Sequence, residues 1–216
     1  MEKIYKNSHY LFIAVLLMAF VGFYKTYFGK FPSFEGISPA MHFHGIMVFC
    51  WLGMLIAQPM LIVNKKMALH RQVGRASYFV VSLMVLSTVI LMRLGFIRNP
   101  PPPSTGIDIR LIGIADLCFF IPCYLLAIYY RKQVKYHSRW MVLSVLPFIN
   151  PALGRLNLPG PVLAIAIMVG LLIYERFHNK VYRPYFIALP AYVGIYYLFI
   201  NVIHQEDWKA FWWMFF

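Results

Sequence analysis

Apolar runs of about twenty residues recur along this chain, each closed off by charge, proline or glycine, and no other feature limits the fold so severely. A hydrocarbon core about 30 Å thick takes roughly 20 mostly apolar residues per helix, and inside it every backbone amide must find a partner within its own segment. Seven stretches meet that requirement, at 9–29, 43–64, 76–97, 110–130, 139–155, 160–177 and 184–204. The sequence therefore predicts an all-α bundle of seven transmembrane spans, a single integral membrane domain over residues 1–216. The fifth stretch, RWMVLSVLPFINPALGR, is short and carries Pro147 and Pro151, so it is expected to be kinked or broken midway. With 61% hydrophobic and 12% charged residues the chain is no soluble domain, and its connections are too short to hold one.

The formal charge of +13, from 20 basic and 7 acidic side chains, reports topology. Lysine and arginine near span ends are retained on the cytoplasmic side. With the N-terminus inside, 13 of the 20 basic residues fall on that side and 7 on the other. Dense and sparse basic loops alternate, which predicts a cytoplasmic N-terminus and an outer C-terminus. The expected partner is a lipid bilayer and not a nucleic acid, since the charge is dispersed over span ends in an 18% aromatic chain. The opening MEKIYKNS also has the outline of a secretion signal, but no small-residue cleavage site follows, and YKTYFGKF is aromatic and charged.

Three further segments carry expectations. NPPPPSTG at 99–106 reads as a stiff polyproline turn on the outer side. The tail at 205–216, QEDWKAFWWMFF, sets Trp208, Phe211, Trp212 and Phe215 at i, i+3, i+4 and i+7. That spacing fits a helix lying in the interface with its aromatic face in lipid, or one docking onto a partner subunit. Cys50, Cys118 and Cys123 lie in apolar runs without a Cys-x-x-Cys pair and are expected to pack as small hydrophobes.

An ionisable side chain in a bilayer costs about 2.5–3.5 kcal/mol to insert, so each one requires a partner or a role. An outer layer collects His42, His44, Arg93, Asp116, Asn150, Arg155, Asn201 and His204. At about 1.5 Å per residue, Arg93 and Asp116 reach comparable depth on consecutive spans and can pair. His44, Trp51 and Gln58 recur at seven-residue steps, nearly two helical turns, and so share one stripe facing the bundle. His42 lies about 200° round the helix from His44, which leaves His44 as the inward one. The bland reading is mutual hydrogen bonding that closes the bundle's outer mouth. The functional one is a polar cavity lined by His44, Trp51, Gln58, Arg93, Asp116, Asn150 and Arg155, where backbone broken at Asn150-Pro151 frees carbonyls for a ligand or ion.

An inner layer consists of two basic connectors, ALHRQVGR after span two and KYHSRWM after span four. Each sets a histidine just before a span that re-enters the membrane, with arginines one to five residues later. Anchoring to anionic head groups accounts for Arg71, Arg75, Arg139 and Trp140. The sharper reading makes His70 and His137 axial ligands on the two faces of a haem b, with Arg71, Arg75 or Arg139 meeting its propionates.

With His44-Gly45, LHRQVGR, YHSRWM and a trailing Arg155, residues 42–156 resemble a bacterial family of predicted multi-span membrane proteins of unknown function, marked by HRxxGR and HxRWM. That resemblance implies a multi-pass protein of the bacterial inner membrane. More distantly the helical core is similar to the four-helix di-haem b-type cytochromes, which implies a haem pair at His70 and His137. A second pair would join spans two and four; span two offers His44, whereas span four has no histidine and carries Asp116.

Three function classes follow. The leading one is a binding or accessory subunit of the membrane, using the outer cavity or the aromatic tail. The second is a haem-b cytochrome passing electrons. The third is a metal-dependent membrane hydrolase with zinc held by His44, Asp116 and His204, against which stands the lack of a helical His-x-x-x-His pair. A retinal Schiff base has no lysine in span seven, and nucleophile-elbow, P-loop and zincin signatures are missing. Asp116 is the one carboxylate expected inside the membrane, so a carboxylate proton relay is poorly supplied.

Overall fold

Helix boundaries in this protein are set by caps, prolines and ring packing more than by the ends of the apolar runs. The structure, a computed structural model, describes residues 3–98, 109–178 and 183–202. The polyproline stretch, His204 and the aromatic tail lie outside the described residues. The described residues are mostly helical, without a strand: α1 (Lys3–Lys6), α2 (Ser8–Gly22), α3 (Pro39–Val63), α4 (Met67–Arg98), α5 (Ile109–Tyr129), α6 (Val134–Val145), α7 (Ile149–Gly154), α8 (Gly160–Phe177) and α9 (Arg183–Tyr197), the last continued by a wider π-type turn over Leu198–Val202.

Three boundaries differ from the apolar runs, each for a local reason. The first helix stops at Gly22 and not near residue 29, because the chain folds back: the amides of Tyr27 and Phe28 both donate to the Phe23 carbonyl. This return packs Phe28 against Phe20 and Phe49, with ring centroids 4.7 and 5.6 Å apart. α3 begins early, at Pro39, because the Ser38 hydroxyl accepts the Met41 amide and proline suits a first turn whose N–H groups lack helical partners. HRQVGR is not a connector but lies in the opening turns of α4. The α3–α4 link is only Asn64–Lys66, turned by Lys65 at φ +58°, so the helix-forming MALHRQ is free to start the next element. His137 likewise falls inside α6.

Between α6 and α7, Pro147 sits in a tight 3-10 turn, Leu146–Phe148, and Pro151 occupies the first turn of α7, where its missing N–H breaks no helical bond. Short as this stretch is, it is the centre of the molecule. Arg139, Trp140, Leu143, Leu146, Ile149, Asn150 and Ala152 are all buried, packed among α2, α5, α8 and α9.

Contacts fix how the helices alternate. Tyr5 ahead of α2, Arg139 early in α6, Glu175 late in α8 and Tyr185 early in α9 meet at one end. At the other, Gly22 closing α2 lies against Ala152 of α7, and Gly160 opening α8 lies against Asn150. Lys65, Lys66, Arg71, Arg75, Arg131, Lys132, Lys135, Arg176 and Arg183 all belong to the first end, called here the basic end.

Among the described residues, five helices are long and apolar enough to cross a membrane: Pro39–Val63, Met67–Gly95, Ile112–Lys132, Gly160–Phe177 and Arg183–Asn201. Only 17–33% of each apolar window is buried inside the protein, so most of that surface faces outward. Phe79 and Phe177 are 76% and 79% exposed, which suits lipid and not water. The cysteines divide: Cys123 packs in the core, whereas Cys50 and Cys118 lie on the outer surface and are not core hydrophobes.

Candidate functional site

Near the basic end, α3, α4, α5 and α6 turn polar side chains into one seam. Trp51 of α3 is fully buried, its ring edge-on to Phe120 and Tyr124 of α5 at 6.0 and 5.4 Å. The Tyr124 hydroxyl meets Ser77 Oγ of α4 at 2.9 Å, and Ser77 in turn donates to the Gly74 carbonyl. Two turns beyond Trp51, Gln58 donates through Nε2 to the His70 carbonyl at 3.3 Å. Trp51 and Gln58 thus share an inward stripe, as their spacing predicts.

His70 on α4 and His137 on α6 close the seam. No direct hydrogen bond joins the two rings. His137 Nδ1 lies 2.7 Å from the Ala127 carbonyl of α5. A carbonyl only accepts, so Nδ1 carries the proton and Nε2 keeps its lone pair. Among the described residues, His70 Nδ1, Trp51 Nε1, Gln58 Oε1 and Trp140 Nε1 are buried without a hydrogen-bond partner. Each such atom costs about 1–3 kcal/mol if it stays unbonded in a dry interior.

Arg139 stands apart from that seam. It is fully buried, bonded through Nη2 to Glu175 Oε2 at 2.6 Å and through Nη1 to the Lys135 carbonyl at 2.7 Å, with its guanidinium 4.5 Å from the centre of the Tyr5 ring. Tyr5 Oη donates to Glu175 Oε1 at 2.5 Å and meets Tyr185 Oη at 2.9 Å. Burial, with Tyr185 beside it, pushes the Tyr5 hydroxyl far above the usual phenol range, so it stays a donor. Arg139 is thus an internal ion-pair partner, not a head-group or propionate contact. Glu175 is a second interior carboxylate that the sequence reading missed, because it lies only two residues from the end of its apolar run.

The residues expected to form one outer cavity are divided at the far end. His44 Nδ1 meets Ser87 Oγ of α4 at 3.0 Å with Thr88 Oγ1 at 3.5 Å, while His42 Nδ1 takes Tyr27 Oη at 2.6 Å on the opposite side. Asp116 does not pair with Arg93, which is exposed. Its Oδ1 accepts Asn150 Nδ2 at 2.5 Å and the Tyr196 hydroxyl, and Asn150 also donates to Tyr192 Oη at 3.0 Å and contacts Tyr196 Oη. Arg155 leaves this network altogether, stacked 3.8 Å above the Phe23 ring. Asp116 and Asn150 therefore come together as expected, but with Tyr192 and Tyr196. Their i, i+4 spacing on α9 was the available signal.

Among the described residues no group of three or more His, Cys, Asp or Glu is placed to hold a metal ion. His44 and Asp116 face different partners, and His204 lies outside the described residues, so the zinc triad gains no geometry. At the basic end the residues that could hold a haem b are His137, whose Nδ1 is committed to a carbonyl, and the half-buried His70, with exposed Arg71 and Arg75 one turn apart beside it. A second haem is not fitted, since His44 is bonded to Ser87 and α5 offers only Asp116 at that level. Comparison with protein-family models, curated proteins and solved structures found no match.

Proposed function

We propose that this chain is a membrane-embedded binding protein whose ligand is a single haem b, held at the basic end between His70 and His137. The observation that carries the reading is the His137 Nδ1 bond to the Ala127 carbonyl at the same end of the bundle as a half-buried His70 whose Nδ1 has no bond. That carbonyl bond fixes the tautomer and ring orientation, as acceptors hydrogen-bonded to the far nitrogen do for metal-bound imidazoles. Arg71 and Arg75, an i, i+4 pair on α4, supply positive charge for the acidic edge of such a group. Trp51, Phe120 and Tyr124 wall the seam with aromatic surface and keep water out. A bound haem supplies reversible one-electron transfer, so the protein would act as an electron carrier or as the haem subunit of a larger assembly.

The topology that goes with this reading is seven crossings, with the N-terminus cytoplasmic. Val134–Gly154, at about 1.5 Å per residue, reaches roughly 30 Å despite its break, and its burial at the centre relieves it of the need for an apolar outer face. The bacterial inner membrane follows from the motif resemblance and from the basic end facing the cytoplasm.

The test is an optical spectrum of the full chain purified from cells supplied with haem. The expected result is a Soret band with the sharp reduced α-band of two imidazole ligands. His70→Ala and His137→Ala should each abolish the low-spin form, and His44→Ala should leave it intact. A wild-type protein that elutes as a single folded species without a Soret band would overturn the haem assignment.

A further inference from the structure

At the far end, the last turn of α2 and the chain leaving it, residues 20–26, face Arg155–Asn157 after α7 across a cleft of about 630 Å³. The volume is that of a pocket for a small organic molecule, and its walls are mostly apolar. Phe20, Val21 and Tyr24 line it on one side and Leu156 on the other, while Lys25 and Arg155 bring two positive charges; no acidic side chain is among the lining residues. Two backbone features shape the cleft. Gly22 lets α2 press onto the Ala152 backbone, and Asn157 in a left-handed conformation, φ +57°, turns the chain out of α7. Arg155 is held by the Pro151 carbonyl at 2.7 Å through Nη1 and by its stacking on Phe23, with its remaining N–H groups unbonded.

An apolar trough beside one held guanidinium, Arg155, and one exposed ammonium, Lys25, on a protein surrounded by lipid, matches a molecule with an acyl chain at one end and an anion at the other. We propose that this cleft binds one phospholipid of net negative charge, its acyl chain along Phe20, Val21 and Leu156 and its phosphate between Lys25 and Arg155. The proposal rests on the membrane reading and is independent of the haem, which lies at the other end.

The test uses the full chain in mild detergent and native mass spectrometry after addition of phosphatidylglycerol or phosphatidylcholine with identical acyl chains. One phosphatidylglycerol per chain should be retained over phosphatidylcholine by roughly tenfold or more, as expected for two cations near a head group. The K25Q/R155Q pair should lose that preference, and excess glycerol 3-phosphate should not displace the lipid. Lys25→Gln alone, at an exposed side chain, guards against misfolding of the pair and should lower the preference by itself. Equal retention of the two lipids, an unchanged preference in K25Q, or displacement by glycerol 3-phosphate would each overturn the proposal. None of these outcomes bears on the Soret band.

Discussion

Arg139 and Glu175 each have no exposed side-chain surface, and that fact governs what their loss would do. A buried pair gains little net stability over apolar residues of the same volume, because taking two charges out of water nearly offsets their attraction. Removing one partner is different, since the other charge is left in a medium that cannot solvate it. Arg139→Met or Glu175→Leu should each destabilise the fold by about 3–5 kcal/mol, whereas the R139M/E175L pair should recover most of that loss. Thermal unfolding of the four proteins in one detergent checks it. A double variant no better than the worse single one would mean that the Tyr5 and Tyr185 hydroxyls, and not the ion pair, hold the cluster. The sequence did not disclose this pairing, although both residues stand in plain view. Arg139 follows a basic connector and Glu175 precedes another, so by position each reads as an interface charge, and only the packing of α6 into the middle of the bundle takes them inside.

Among the elements, α2 and α7 make the closest helix approach at a glycine, and it can be tested against glycines that touch nothing. A Cβ on Gly22 would come within 2.3 Å of the Ala152 carbonyl oxygen and 2.8 Å of its Cα, both backbone atoms with no freedom to move aside. Gly22→Ala should therefore force α2 off α7 and cost about 1–3 kcal/mol as an overpacked contact. Gly53 of α3 and Gly170 of α8 meet no atom within 4 Å, so alanine there should be neutral or stabilise by up to about 1 kcal/mol through helix propensity. Melting curves of the three single variants give the ordering, and a Gly22→Ala protein as stable as the Gly53→Ala one would show that the contact relaxes freely. Legibility follows the same physics at this scale. α8 could be read to the residue because proline and glycine start it and nothing folds back on it. α2 could not, because its end is decided by Phe28 and Phe49, one of them on another helix. The α6–α7 stretch read as the weakest span because it is short and interrupted, yet those are properties that an element buried through its middle, from Arg139 to Asn150, can tolerate.

For the whole molecule, the alternation of helices and the distribution of charge are two independent records of one arrangement. Contacts gather the starts of α2, α4, α6 and α9 with the ends of α3, α5 and α8, and the same end holds most of the basic side chains. Periodicity along single helices put Trp51 and Gln58 on one face and His70 and His137 at one level. It did not separate Asp116 from Arg93 or His44, because depth along a helix axis says nothing about which neighbour a side chain meets across it. If the basic end is cytoplasmic, Glu35, exposed in the chain between α2 and α3, lies outside, and Lys66, exposed between α3 and α4, lies inside. In a protein with Cys50, Cys118 and Cys123 replaced by alanine, Glu35→Cys should react with an impermeant maleimide on intact cells, and Lys66→Cys only after permeabilisation. The opposite pattern would invert the molecule and set the histidine pair on the outer face. Labelling of both sites from one side would mean that α3 does not cross, and with it would go the argument that its inward polar stripe must find a partner away from water.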